Sequence, residues 1–110
     1  MSPRPGEVWL ADLGLAAKRR PVVVVSRHDP DAPRALAIYV PLTTQDRQSP
    51  YEVPIPKVGF LDGVSVANVQ GVASIPLVRL EKRLGKLPEK VVSEIHRALR
   101  FAFDLTEPSR

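Results

Sequence analysis

The chain reads as a mainly β protein: a small, strongly curved barrel followed by one C-terminal helix. Three observations carry this reading. Twelve prolines and six glycines punctuate 110 residues, and proline breaks the helical hydrogen-bond ladder, so no long helix is expected before Pro88. Between the breaks lie short β-branched or alternating segments of strand length. After Pro88 the apolar period changes to three and four. Many short strands and then a single helix are the pattern of a small curved barrel.

The first segment, "EVWLADL" (7–13), alternates, with Val8 and Leu10 on one face and Trp9 on the other. "PVVVVS" (21–26) is a β-branched run that opens on Pro21, too short for a helix and apolar enough for a strand buried on both faces. "ALAIYVPLT" (35–43) is a third strand, expected to end or bulge at Pro41. "YEVPIP" (51–56) belongs at an edge, because Pro54 cannot donate to a ladder. "GVSVANV" (63–69) is a fifth strand and "KRLGKL" (82–87) a short sixth. In "PEKVVSEIHRALRFAFDL" the residues Val91, Val92, Ile95, Ala98, Leu99, Ala102 and Phe103 form one apolar stripe. Pro88 suits the first turn of that helix, and Glu89 suits its positive end.

Length, composition and charge narrow the function. The 110 residues fit one domain, 1–110, with a core small enough that dimerisation would help it. Hydrophobic residues make up 44% of the chain, too many for disorder. There is no cysteine, which removes disulfides and thiolate metal sites and points to a reducing cytoplasm. The opening "MSPRPGEVWL" lacks the apolar stretch of a signal peptide, and no run reaches transmembrane length, so no membrane partner is expected. A formal charge of +4 favours a polyanionic partner only weakly.

Several chemistries drop out. No glycine-rich phosphate loop is present. His28 and His96 are far apart and lack metal-ligand spacing, so neither a metal nor another cofactor is expected. What remains is cationic and hydroxyl-rich: Lys18, Arg19 and Arg20 before the valine run, and Thr43, Thr44, Gln45 and Arg47 after the third strand. Cleavage of RNA by its own 2′-hydroxyl can use such a set. The substrate supplies the nucleophile, and the protein orients it and stabilises charge on the phosphorane. A guanidinium offers a planar fork to phosphate oxygens. On spacing alone, the simpler reading is a solvated loop and a strand end. Trp9 reads as core or dimer interface, and one tryptophan, two tyrosines and three phenylalanines do not suggest a stacking-rich RNA surface.

"PGEVWLADL", "RPVVVVS", "VPLTT", "SVANV" and "RLGKL" before a last helix run in an order that resembles the MazF/PemK family of toxin–antitoxin ribonucleases along essentially the whole chain. The resemblance implies an SH3-like barrel with a C-terminal helix, a homodimer, and metal-independent, sequence-specific cleavage of single-stranded mRNA. It also implies products with a 2′,3′-cyclic phosphate and a 5′-hydroxyl, and silencing by a cognate antitoxin. The family's catalytic arginine before the proline corresponds to Arg20, and its catalytic threonine to Thr43. Arg20 would stabilise the phosphorane, with a general-acid role also open to it, and Thr43 would orient the phosphate or the 2′-hydroxyl. Lys18 and Arg19 would hold flanking phosphates, with Thr44, Gln45 and Gln70 completing the RNA surface and Gln45 reading a base edge.

The chain also departs from the family. Where the plasmid-encoded branch carries an R-x-D-Q pattern, this chain has "NVQG", with Asn68 and Gln70 in place of charges and Ala73 in place of an arginine. A non-catalytic binding toxin of the same barrel, of the gyrase-poisoning kind, or a catalytically impaired homologue is the alternative, and the retained Arg20 and Thr43 tell against it. The basic residues on and before the helix, among them Arg79, Lys86 and Arg97, form a solvated face that could attract an acidic antitoxin tail.

Overall fold

The computed structural model describes residues 2–14 and 19–105. Seven strands precede one helix: β1 (Glu7–Asp12), β2 (Arg19–Val24), β3 (Leu36–Thr43), β4 (Glu52–Ile55), β5 (Ser65–Asn68), β6 (Ala73–Pro76), β7 (Leu80–Lys86) and α1 (Glu89–Ala102). All pairings are antiparallel. The sheet runs β4-β5-β3-β2-β1-β7, with β6 also on β3. Among the described residues β4 and β7 do not pair, so the barrel-like sheet stays open.

β3 is the organising strand. Tyr39, Val40 and Pro41 pair with β2, Leu36 to Tyr39 with β6, and Leu42 and Thr43 with β5. One edge of β3 is thus handed from β6 to β5. Pro41 lies inside the strand, where the sequence suggested an end or a bulge. The Val69–Gly71 3-10 turn between β5 and β6 passes over it. A Cβ on Gly71 would come within 2.7 Å of the Pro41 ring, so glycine permits the approach.

The valines of β2 are buried on both faces, as their composition suggests. Val23 belongs to the cluster that also holds Val8, Val40, Leu42 and the helix residues Val91, Ile95 and Ala98. Val22 and Val24 face a second cluster with Trp9, Ala37, Ile75 and Leu80. The strand therefore begins two residues earlier than its apolar run and carries Arg19 and Arg20 as ladder residues. β6 escapes the sequence pattern because "ASIP" buries only Ile75 and ends on proline.

The helix starts after Pro88 with Glu89 in its first turn, favourable for the exposed N–H groups there. It ends in a Schellman arrangement. Leu105 N–H donates to the Arg100 carbonyl and Asp104 N–H to the Phe101 carbonyl, with Asp104 in the left-handed region at φ 58°. His96, on this helix, is exposed.

One buried carboxylate ties the first strand to the last. Glu7 Oε1 accepts from Arg4 N–H at 2.9 Å and from Trp9 Nε1–H at 3.0 Å, and its Oε2 accepts from Arg83 Nε at 3.0 Å. Burial pushes the Glu7 carboxyl up, but the Arg4, Trp9 and Arg83 donors outweigh it and hold it below the usual range. A depressed carboxylate stabilises the fold above its ordinary range, and that contribution is lost as pH falls through the lowered value. Glu7→Gln should therefore lower stability at pH 7 by about 1–3 kcal/mol. It should also flatten the loss of stability below about pH 4 seen in the unsubstituted chain. Denaturant titrations at several pH values measure both effects; identical acid limbs in the two proteins would remove Glu7 from this role.

Candidate active site

The rigid half of β2 holds Arg20. Val22, Val23 and Val24 are essentially inaccessible, so the backbone that carries Arg20 is fixed one residue beyond Pro21. The Arg20 side chain itself is exposed, with no hydrogen bond or ion pair among the described residues. β3 delivers Thr43 as its last residue, where Thr43 Oγ1 accepts the Gln45 N–H at 3.2 Å. This local bond starts the loop and leaves the hydroxyl hydrogen of Thr43 to donate elsewhere.

Arg20, Thr43 and Thr44 line one open cavity of about 390 Å³. Its apolar lining comes from Leu10, Pro21, Leu42, Phe60, Leu61 and Leu84, and Asp62 and Ser65 also line it. The loop of residues 56–64 between β4 and β5 lays the Phe60 ring on Gly85 of β7. A side chain at position 85 would overlap that ring.

Thr43 also lines a second cavity, of about 320 Å³, with Gln45, Arg47, Ser49, Tyr51, Glu52, Asn68 and Gln70. Glu52 folds its rim. Glu52 Oε1 accepts from Ser49 N–H at 3.0 Å and Ser49 Oγ–H at 2.8 Å, and Oε2 accepts from Arg47 N–H at 3.2 Å. The Ser49 hydroxyl is the largest influence on the Glu52 carboxyl. With the Ser49 and Arg47 N–H groups and the Arg47 charge, it outweighs partial burial and keeps the group below the ordinary range. Across the ladder, Asn68 stands opposite Glu52, and its Oδ1 accepts the Gln70 N–H at 3.1 Å.

The structure thus brings Arg20, Thr43 and Thr44 together, and places Gln45 and Gln70 in the adjoining cavity. Arg19 lines neither; its guanidinium pairs with Glu81 of β7. Lys18 lies outside the described residues. A third depression, of about 310 Å³, holds Arg27, His28 and Arg34 and none of the expected catalytic or RNA-binding residues. Among the described residues no group of three or more His, Cys, Asp or Glu is placed to hold a metal.

Sequence reasoning passed over Asp62 and Glu52. "LDGV" around Asp62 signals only a turn. Glu52 reads as an edge-strand residue, although Ser49 three positions earlier repeats the spacing of a capping pair.

The family model described as the PemK-like, MazF-like toxin of type II toxin–antitoxin systems matches residues 4–103. The chain belongs to that family. A probable endoribonuclease MazF5 of Mycobacterium tuberculosis is 37% identical over 113 residues, covering 93% of this chain and 94% of the relative. An endoribonuclease MazF6 of the same species is 31% identical over 108 residues, covering 90% and 95%. A solved mycobacterial endoribonuclease in complex with its cognate antitoxin superposes with a TM-score of 0.84 at 26% identity, covering 97% of this chain and 100% of that one. The seven strands and terminal helix are therefore the MazF arrangement.

The Phe60–Gly85 contact gives this MazF-like cavity one wall. Gly85→Ala should overpack it and cost about 1–3 kcal/mol. In a double-mutant cycle by thermal unfolding, Phe60→Ala should recover part of that loss; simple additivity would show that the ring does not seat on Gly85.

Proposed function

We propose that this MazF-family chain is an endoribonuclease toxin that cuts single-stranded mRNA and is held inactive by a cognate antitoxin. The observation that carries the reading is the convergence of Arg20, on β2, and Thr43, on β3, in one cavity. The named relatives are endoribonucleases, and a structural neighbour is bound to its antitoxin.

The scissile phosphate sits between Arg20 and Thr43. The 2′-oxygen of the preceding ribose attacks phosphorus, and its proton passes to Asp62, the carboxylate in the same cavity. Charge builds on the equatorial oxygens, where the Arg20 fork and the Thr43 hydroxyl donate. The bond to the 5′-oxygen breaks, that oxygen takes a proton from water in the open cavity, Asp62 returns its proton to solvent, and the products carry a 2′,3′-cyclic phosphate and a 5′-hydroxyl. Arg20 supplies the positive charge at phosphorus, so the reaction proceeds without a divalent ion. Thr44 borders the phosphate, and Gln45 and Gln70 face the neighbouring nucleotide. Arg19 reaches a flanking phosphate by exchanging Glu81 for it, with Lys18 beside it in sequence.

The working unit is a homodimer in the cytoplasm, where mRNA is found. Leu36 and Ile38, on one face of β3, remain 43% and 46% exposed, and Val78 is 84% exposed; such apolar side chains favour a covered face. No helix among the described residues is long and apolar enough to cross a membrane.

Purified protein should cut a long RNA in EDTA. Arg20→Ala should slow cleavage by about a hundredfold or more and Arg20→Lys should restore part of it, because a point charge does not replace a fork. Asp62→Asn should also cost about a hundredfold. A single 2′-deoxy substitution 5′ of the cut should abolish cleavage there while binding persists. Cleavage of that substrate, or full activity in folded Arg20→Ala, would overturn the mechanism. Sedimentation should give a dimer at micromolar concentration, and Ile38→Lys should shift it towards monomer; a wild-type monomer throughout would remove the dimer.

A further inference from the structure

β2 and β3 carry polar side chains at both ends of their shared ladder. Arg20 and Thr43 stand at one end, where β2 begins and β3 stops. At the other end, Ser26 and the loop of residues 27–35 meet the start of β3 and border a depression of about 310 Å³. Six residue steps separate Arg20 from Ser26, which sets the two places about 20 Å apart along an extended chain. The volume is at the small end of ligand pockets.

Its charge sets it apart from the other two cavities. Arg27, Arg34 and His28 line it against one carboxylate, Asp29. The Arg20 cavity sets one guanidinium against Asp62, and the cavity beyond Thr43 sets Arg47 against Glu52. Asp29 does not neutralise its basic neighbours. Its Oδ1 accepts the Asp31 N–H at 3.0 Å, and among the described residues the side chains of Arg27, His28 and Arg34 make no ion pair or hydrogen bond. Ser26 adds a donor: its Oγ accepts the Ile38 N–H at 3.0 Å, which leaves the hydroxyl hydrogen for a ligand. That bond, with the Val25 N–H to the Ile38 carbonyl at 2.8 Å, fixes the backbone just before Arg27 and His28. Leu36, Ala37 and Leu77 supply apolar lining.

We propose that this depression is a second anion site, separate from the Arg20–Thr43 cavity, which takes the phosphate group of a nucleotide or of an RNA strand. A carboxylate is planar, and one guanidinium fork satisfies it. A phosphate presents oxygens in several directions, and as a monoester it carries a charge of about −1.5 to −2 near neutral pH. Two guanidiniums, an imidazole N–H and a hydroxyl can donate to it together. The apolar lining accepts the sugar that carries the phosphate. Leu36 also belongs to the apolar face that a second copy would cover, so the depression lies at the margin of the dimer proposed above. Neither Arg20 nor Thr43 lines it, so binding here does not depend on cleavage.

The test reads binding to the full chain at low salt, where charge-assisted contacts are least screened. Adenosine 5′-monophosphate is titrated into wild type and Arg20→Ala while amide NMR signals are followed. Signals of residues 26–36 should move in both proteins, because Arg20→Ala removes the cation of the other cavity and leaves this end of the ladder intact. Inorganic phosphate should move the same signals. Replacing Arg27→Gln and Arg34→Gln together should weaken the monophosphate about tenfold or more. Both side chains are exposed, so this chain should unfold at the wild-type temperature. A fully 2′-O-methyl RNA, which has no 2′-hydroxyl to attack, separates the two sources. If its affinity for Arg20→Ala also falls about tenfold when Arg27 and Arg34 are replaced, the strand is the ligand. If its affinity holds while the monophosphate is lost, the ligand is a free nucleotide. Shifts confined to the Arg20–Thr43 cavity would overturn the site. So would undiminished affinity of the folded Arg27→Gln, Arg34→Gln chain for both probes.

Discussion

Everything in this molecule hangs on the sharing of β3 between three partners. A strand has two edges, and β3 gives one to β2 and divides the other between β6 and β5. The division requires β5 to leave and β6 to arrive beside Pro41, a residue with no N–H to offer, and the Val69–Gly71 turn fits there because Gly71 lacks a side chain. The result is a strand end, at Thr43, that borders two cavities. Neither the Arg20–Thr43 cavity nor its neighbour would exist in a sheet where β3 simply met one strand on each side.

The sequence made the strongly patterned elements legible and left the junctions dark. The valine run announced a doubly buried strand because β-branched residues without polar interruption fit little else at that length. The helix announced itself by its period, and its Pro88 start held. β6 stayed invisible, since one buried residue in "ASIP" makes no alternation. Pro41 misled for the opposite reason: its meaning depends on which strand is alongside, a tertiary fact. Arg20 and Thr43 were legible through a family resemblance, whereas their spacing of 23 positions says nothing about proximity. Asp62, between β4 and β5, and Glu52, at the start of β4, were dark because a carboxylate's partners are set by what faces it in the fold.

The two neighbouring arginines of β2 show how far position outranks residue type. Both are exposed guanidiniums on one rigid strand. Arg19 is paired with Glu81, and such a pairing at the surface adds little to stability. Arg20 lines the cavity with Thr43. A count of basic residues, or the net charge of +4, does not distinguish them. The distinction comes from where β7 places its carboxylate.

The Glu7–Arg83 pair joins positions 76 residues apart, and the same β1–β7 ladder runs from Glu7–Lys86 to Ala11–Leu80. In a chain that leaves the ribosome N-terminus first, one edge of β1 stays unpaired until β7 (Leu80–Lys86) has been made. Contacts of such long sequence separation form late, because the intervening loop must close first. Leu84, which lines the cavity with Arg20 and Thr43, and Gly85, on which the Phe60 ring rests, arrive with that last strand. The order of translation therefore delays completion of the cavity until β7 has emerged, and a truncated product ending before β7 lacks Leu84 and the seat for Phe60.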